Sequence, residues 1–127
     1  MAIAAGAPTS DSPLTEASPA ARLDMRRCSC AAIAGLSSVS GLSLVGAPAV
    51  RVGAVSFVMA GREPRAIGQY LNRKGIAVRA GHHCAQPVLR RFGHEATVRP
   101  SLGIYNDESD IALLVMALRE LSSGRGR

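Results

Sequence analysis

The chain has 127 residues, which is room for one domain, and a formal net charge of +6. Aromatic residues make up only 3% of it, and the positive charge is almost all arginine spread along the chain. Both features argue against a nucleic-acid partner, because base-stacking surfaces need aromatic rings and electrostatic footprints need clustered charge. The odd number of cysteines, three, argues against a disulfide-stapled secreted scaffold and favours the reducing cytoplasm.

The first 50 residues carry weak signals. Residues 1–20 are rich in Ala, Ser, Pro and Thr without periodicity, which predicts a disordered leader rather than a secretory signal. The uncharged residues 28–50 follow a Met-Arg-Arg triplet and imitate a signal peptide or a marginal membrane span, but Ser, Gly and Pro48 interrupt them. We therefore predict a helix over residues 21–34, a Ser/Gly turn, a strand at Leu42–Val45 and no membrane association.

The middle of the chain has sharper patterns. The β-branched run of residues 52–59 predicts a strand. Pro64 opens a helix that Gly75 ends. The core face of this helix is predicted from helical spacing to contain Ile67, Tyr70 and Leu71. Residues 76–79 predict a further strand, which leads directly into the tight segment of residues 80–84.

A short helix and a strand follow that segment. Pro87 starts a helix of one to two turns that Gly93 closes, and residues 97–105 predict a strand. Alternation divides the strand between two faces, with Val98, Leu102 and Ile104 on one and Arg99 and Ser101 on the other. Pro100 lacks a backbone donor, so we expect this strand to lie at an edge or to have a locally altered ladder.

The closing helix completes an α+β domain. Asn106 or Asp107 caps this helix, and residues 123–127 form a frayed tail behind it. Its apolar stripe is predicted to contain Ile111, Leu114, Val115, Leu118 and Leu121. The order of elements predicts a small, mostly antiparallel sheet with helices packed on one face.

Cys84 is the residue with the clearest chemical potential. It follows a predicted strand in a loop that also contains two histidines, with Arg79 close by. A thiol attacks as the thiolate, and neighbouring cationic side chains favour that form, so the spacing suits a reactive cysteine. A buried structural cysteine is the alternative, and the local residues leave it open. Arg99 either clamps a carboxylate with its planar guanidinium or faces solvent as an ordinary strand residue.

Zinc binding is a competing interpretation of the same segment. The nitrogen and sulfur ligands on offer are Cys28, Cys30, His82, His83, Cys84 and His94. Adjacent His-His-Cys side chains do not easily converge on one tetrahedral ion, and the chain has no C-x-x-C pair. We therefore predict no metal.

Several segments together resemble one protein family. The run GIAVRAGHHCAQP at residues 75–87 resembles the active-site cysteine segment of cysteine desulfurases, in the selenocysteine-lyase branch of the class-V aminotransferases. The segment TVRPSL at residues 97–102 and the pair Tyr105-Asn106 follow at the family's spacing. The helix DIALLVMALREL at residues 110–121 resembles the family's C-terminal helix.

The resemblance covers residues 51–121 well and residues 21–50 loosely. It implies that residues 21–122 are the C-terminal small domain of a fold-type I enzyme that uses pyridoxal 5′-phosphate (PLP). Such enzymes remove sulfur from L-cysteine, leave L-alanine and pass the sulfur to an acceptor for iron–sulfur cluster assembly, and they are dimers. The resemblance therefore implies L-cysteine as substrate, a sulfur-acceptor protein as partner, and a homodimer.

The resemblance also implies roles for individual residues. Cys84 matches the residue that attacks the substrate sulfur and becomes a persulfide. Arg99 matches the residue that binds the substrate carboxylate. Arg79 matches an arginine beside the active site and is the second residue expected to bind substrate. His82 and His83 lie in the cysteine loop, and the resemblance gives them no certain role.

The chain departs from the family in its cofactor site. The family's PLP lysine belongs to a large upstream domain, whereas Lys74 is the only lysine here and precedes a predicted strand. We therefore expect a chain that does not hold PLP covalently and is inactive alone, either as a remnant or as a half completed by a PLP-domain partner. The alternatives are a stand-alone module that accepts a persulfide on Cys84, and a basic binding module without thiol chemistry.

Overall fold

The computed structural model describes residues 19–46 and 53–124, with side chains described for residues 26–46 and 53–124. The expected leader at residues 1–20 lies outside these residues except for its last two, which begin a helix. The expected tail at residues 123–127 is described only as far as residue 124. Within the described residues, no helix is both long and apolar enough to span a membrane.

Within the described part of the chain, four helices and four strands follow one another in the predicted order. The helices are α1 (Pro19–Ser37), α2 (Pro64–Arg73), α3 (Gln86–Arg91) and α4 (Glu108–Ser122). The strands are β1 (Leu42–Val45), β2 (Ser56–Met59), β3 (Arg79–Gly81) and β4 (Thr97–Arg99). All strand pairs are antiparallel, and the order across the sheet is β1-β2-β4-β3. The predicted α+β class and antiparallel sheet are confirmed.

The core lies between one face of the sheet and the helices α1, α2 and α4. Side chains alternate along the strands, so Phe57 and Val98, which face each other across β2 and β4, are both fully buried. Every apolar residue predicted for the stripes of α2 and α4 is buried in this cluster, namely Ile67, Tyr70, Leu71, Ile111, Leu114, Val115, Leu118 and Leu121. The core therefore occupies the sheet face that contains Phe57 and Val98.

Local signals fix the helix ends. Pro64 occupies the first turn of α2, and Gly75, with φ of 78°, follows its last turn. The amides of Gly75 and Ile76 donate to the carbonyls of Asn72 and Leu71, which is a Schellman motif. Asp107, one of the two predicted caps, forms a capping box at the start of α4.

Three strands differ from their predicted ranges: β2 begins at Ser56 instead of residue 52, and the other two changes have identifiable reasons. The strand predicted at residues 76–79 begins only at Arg79, because the Ile76 amide is used to end α2. The strand predicted at residues 97–105 ends at Arg99, apart from an isolated bridge at Ser101. A turn then begins, in which the Gly103 amide donates to the Asn106 side chain at 2.8 Å.

This arrangement corrects the prediction for Ile104 and decides between the two alternatives for Pro100. Ile104 was expected on the core face, but it lies in the turn and is 62% exposed. Pro100 does not mark an edge, since β4 lies between β2 and β3. Its carbonyl accepts from the Val55 amide, but as a proline it cannot return that bond, so the ladder is altered there as expected.

Candidate functional site

Cys84 lies in a tight turn between β3 and α3. The Ala85 amide donates to the His82 carbonyl at 2.8 Å and so encloses His83 and Cys84 as the two central residues. Both have positive φ angles, 52° and 58°. Turns of this kind, the type I′ pattern, favour Asn and Gly at both positions. Residues with a Cβ are strained there at a cost of about 1–3 kcal/mol each, so further interactions must hold this turn.

His82 supports the turn from within. Its Nδ1 atom accepts a hydrogen bond from the Cys84 amide at 3.2 Å, while its carbonyl accepts from Ala85. The Cys84 side chain itself is exposed. The turn therefore holds the backbone of Cys84 and leaves its thiol accessible.

His83 connects the turn to the sheet. Its Nε2 atom lies 3.2 Å from the carbonyl oxygen of Thr97 and 3.1 Å from the Thr97 hydroxyl oxygen. A carbonyl oxygen can only accept, so Nε2 carries the hydrogen in this contact. Thr97 is fully buried in β4, opposite Gly81 in the register of β3. The ring of His83 is thus fixed to a rigid strand.

Two arginines add positive charge beside the turn. Arg79 and Arg99 lie directly opposite each other on β3 and β4. Burial and the Arg99 guanidinium lower the pKa of His83, and the charges of Arg79 and His82 lower it further. The hydrogen bond to Thr97 acts in the opposite direction. His83 is therefore a neutral imidazole at neutral pH, in a site whose permanent charges are guanidinium groups.

Arg99 has a donor that the described residues leave unused. Its Nε atom is buried and has no hydrogen-bond partner among them, whereas the residue as a whole is half-buried. A buried donor without a partner costs free energy, and an anionic group such as a carboxylate would satisfy it. Arg79 on the edge strand β3 is exposed and places a second guanidinium group directly opposite Arg99.

The structure places the predicted residues Arg79 and Arg99 opposite each other at one end of the β3–β4 pair, and the turn with Cys84 follows Gly81 at the other end. The charges of both arginines act on His83 in that turn.

The structure does not bring the alternative zinc ligands together. Cys28 is buried on α1, where its thiol donates to the Asn106 carbonyl at 3.6 Å, and Cys30 is exposed on the same helix. Among the residues that the structure describes, no three His, Cys, Asp or Glu side chains form a group that could hold a metal ion.

Thr97, which contacts His83, was not predicted from the sequence as part of the candidate site. Its signal was weak, because a threonine is ordinary in a strand. The informative feature is its place two residues before Arg99, which puts both side chains on the sheet face opposite Val98. Only the register of β3 against β4 places the turn over it.

Lys74, the only lysine of the sequence, forms an ion pair with Glu120. Its Nζ atom is 2.8 Å from a carboxylate oxygen of Glu120 and 5.8 Å from the centre of the Tyr70 ring. These contacts tie the end of α2 to α4, and the ion pair raises the pKa of Lys74, which favours its charged form. A Schiff base needs a neutral amine, so the described residues do not fit a covalent PLP site.

Comparisons with known proteins show which family the chain resembles. A family model described as aminotransferase class-V matches residues 20–114. The chain is 55% identical over 89 residues to a cysteine desulfurase of Synechococcus elongatus and 51% identical over 89 residues to a probable cysteine desulfurase of Mycobacterium leprae. Each match covers 70% of this chain, but the chain spans only 14% and 15% of those two proteins.

Comparison with solved structures also points to cysteine desulfurases. The structure of apo cysteine desulfurase from Thermococcus onnurineus matches with a TM-score of 0.76 and 29% identity, over 80% of this chain and 26% of that one. The chain belongs to the class-V aminotransferase family, and the members that it resembles are cysteine desulfurases.

Proposed function

We propose that this chain supplies the sulfur-accepting cysteine of a cysteine desulfurase, and that Cys84 is the residue that becomes the persulfide. The observation that carries the proposal is the exposed Cys84 thiol on a strained turn beside two arginines. Strained backbone of this kind is typical of functional sites. Of the three cysteines, Cys28 is buried and Cys30 lies on the regular helix α1, so neither has comparable support.

The chemistry requires a thiolate. In the net reaction the Cys84 sulfur forms a bond to the sulfur of L-cysteine, and the carbon–sulfur bond of L-cysteine breaks. Its electron pair stays on the carbon, which takes up a proton and becomes L-alanine, so no external oxidant or reductant is needed. Cys84 attacks as the thiolate, and the product is a persulfide on the same residue.

We assign substrate recognition to Arg99 and Arg79. The buried Nε of Arg99 has no hydrogen-bond partner among the described residues, and the two residues lie opposite each other on neighbouring strands. A carboxylate accepts well-directed hydrogen bonds from guanidinium groups, so the α-carboxylate of L-cysteine is the group we expect there. Neutral His83 leaves this site cationic through the arginines alone.

PLP is the cofactor of the family and supplies the electron sink that carbon–sulfur cleavage needs. Since Lys74 is paired with Glu120, we propose that residues outside this sequence hold PLP, in a further segment or in a partner chain. On this proposal the 127-residue chain alone is inactive. The sulfur then passes to an acceptor protein for iron–sulfur cluster assembly, in the cytoplasm, and the complete enzyme is a homodimer.

The test is the intact mass of the chain after incubation with L-cysteine, PLP and an intact cysteine desulfurase from another source. The thiolate of Cys84 attacks the outer sulfur of the donor enzyme's persulfide, and the donor thiolate leaves. We expect a gain of one sulfur atom, which Cys84→Ala abolishes and the matched variant Cys30→Ala retains. L-cysteine and PLP without the added enzyme should give no gain.

Two outcomes contradict the proposal. A folded chain that gains no sulfur from the donor enzyme is a remnant or a binding module without thiol chemistry. A gain that survives Cys84→Ala assigns the sulfur to another cysteine.

A further inference from the structure

Among the described hydrogen bonds, one side chain, that of His83, joins the Cys84 turn to the sheet. The bonds made by His82 stay inside the turn, since they join it to Cys84 and Ala85. The hydrogen bonds from His83 to Thr97 reach the sheet. Among the described hydrogen bonds of residues 82–84, these are the ones that cross to a strand. Without this link, the turn would lower its free energy by relaxing its two strained central residues to negative φ.

The charges around His83 make this link dependent on its protonation state. Arg99 faces it from β4, Arg79 acts on it from β3, and His82 acts on it from within the turn. A proton added to His83 creates a third cation among two guanidinium groups in a half-buried position. Both like-charge repulsion and desolvation then favour release of the ring into water.

The sign of the effect follows from the direction of the shift. Burial and Arg99 lower the pKa of folded His83 below the ordinary value of 6.5. A group of this kind favours the folded turn fully above pH 6.5. The contribution is lost as the pH falls from 6.5 towards the lower pKa of the folded state.

We propose that His83 is a positioning residue that, through its bond to Thr97, holds Cys84 in the strained turn from which its thiol accepts sulfur. It touches neither substrate nor sulfur. The proposal rests on the proposed function, because it describes how that same cysteine is presented. It also predicts that acidification releases the turn before the fold as a whole is lost.

The experiment measures the rate of sulfur transfer to Cys84 from an intact desulfurase, at a series of pH values on both sides of 6.5. His83→Gln keeps a side-chain N–H donor for Thr97 but cannot titrate, and His83→Ala removes the link. His94→Gln, on a half-buried histidine outside the turn, is the matched control. Each rate is divided by the wild-type rate at the same pH, so that the donor enzyme's own pH dependence cancels.

We expect His83→Ala to be about tenfold slower at neutral pH, the effect of losing a hydrogen bond that holds a strained segment. We expect the ratio for His83→Gln to rise as the pH falls, because only the wild type loses its link. The His94→Gln ratio should stay constant. Thr97→Val removes the hydroxyl and keeps the carbonyl acceptor. Its rate of sulfur transfer should lie between the rates of the wild type and of His83→Ala.

The outcomes separate this inference from the proposed function. A wild-type chain that gains no sulfur at any pH overturns the proposed function. A wild-type chain that gains sulfur, together with a constant ratio for His83→Gln and a wild-type rate for His83→Ala, overturns the role of His83 alone. Circular dichroism of each variant checks that the fold is retained, and His83→Gln decides the matter if His83→Ala does not fold.

Discussion

At the scale of single residues, the backbone at Cys84 is the most unusual feature of the chain. A φ of 58° is unfavourable for any residue with a Cβ and normal for glycine. We therefore expect Cys84→Gly to be more stable to urea than Cys84→Ala by about 1 kcal/mol. Neither variant keeps the thiol, so the comparison isolates the backbone.

Ala85 provides the control for that comparison. Its φ is −119°, where glycine brings no relief of strain, so Ala85→Gly should not be stabilising. Equal stability of Cys84→Gly and Cys84→Ala would show that the turn stores no strain, and the argument for the His83 link would then fail as well.

The sequence predicted some parts of this site and not others. Cys84 was predicted as a site residue from its local motif and from the family resemblance, and Arg79 and Arg99 were predicted from the resemblance. The link from His83 to Thr97 could not, since it depends on which residues of β3 and β4 face each other. Register is set by long-range packing, and a shift by one residue would have turned Thr97 to the other face.

At the scale of elements, α1 and α4 pack closely at one glycine. A Cβ on Gly35 would lie 2.7 Å from Cγ2 of Val115, which is buried on α4. Alanine in place of glycine normally stabilises a helix by up to about 1 kcal/mol. We expect Gly35→Ala not to raise the free energy of unfolding in the wild-type background, because its Cβ meets Val115. The same change should raise the free energy of unfolding when Val115→Ala is also present.

A double-mutant cycle by urea denaturation measures this coupling. The two single variants and the double variant are compared with the wild type under the same conditions. The same gain from Gly35→Ala in both backgrounds would show that the two helices are not in close contact at this point.

The ends of α2 were predicted correctly because they depend on residues at the ends themselves. Pro64 and Gly75 bracket α2 as predicted, since a proline start and a glycine end are properties of the chain itself. The predicted strand at residues 97–105 is confirmed only over Thr97–Arg99, and Asn106 forms a turn beyond it by bonding to Gly103 and Asp110. That buried amide needs the first turn of α4 in place, which no strand pattern reveals.

At the scale of the whole molecule, one apolar core under three helices supports a sheet edge that carries the cysteine turn. The element order followed from periodicity, whereas the strand order β1-β2-β4-β3 requires β4 to insert between β2 and β3. Lys74 joins α2 to α4 through Glu120 and so belongs to this scaffold. This scaffold holds the Cys84 turn at the β3 edge of the sheet.

The most direct test of this account locates the transferred sulfur. The chain is incubated with an intact desulfurase and L-cysteine, the persulfide is alkylated, and the chain is digested and sequenced by tandem mass spectrometry. We predict the extra sulfur on the peptide that contains Cys84 and none on the peptide that contains Cys30, although both side chains are exposed. Sulfur on Cys30 to the same extent would contradict the account, because exposure alone would then explain the transfer.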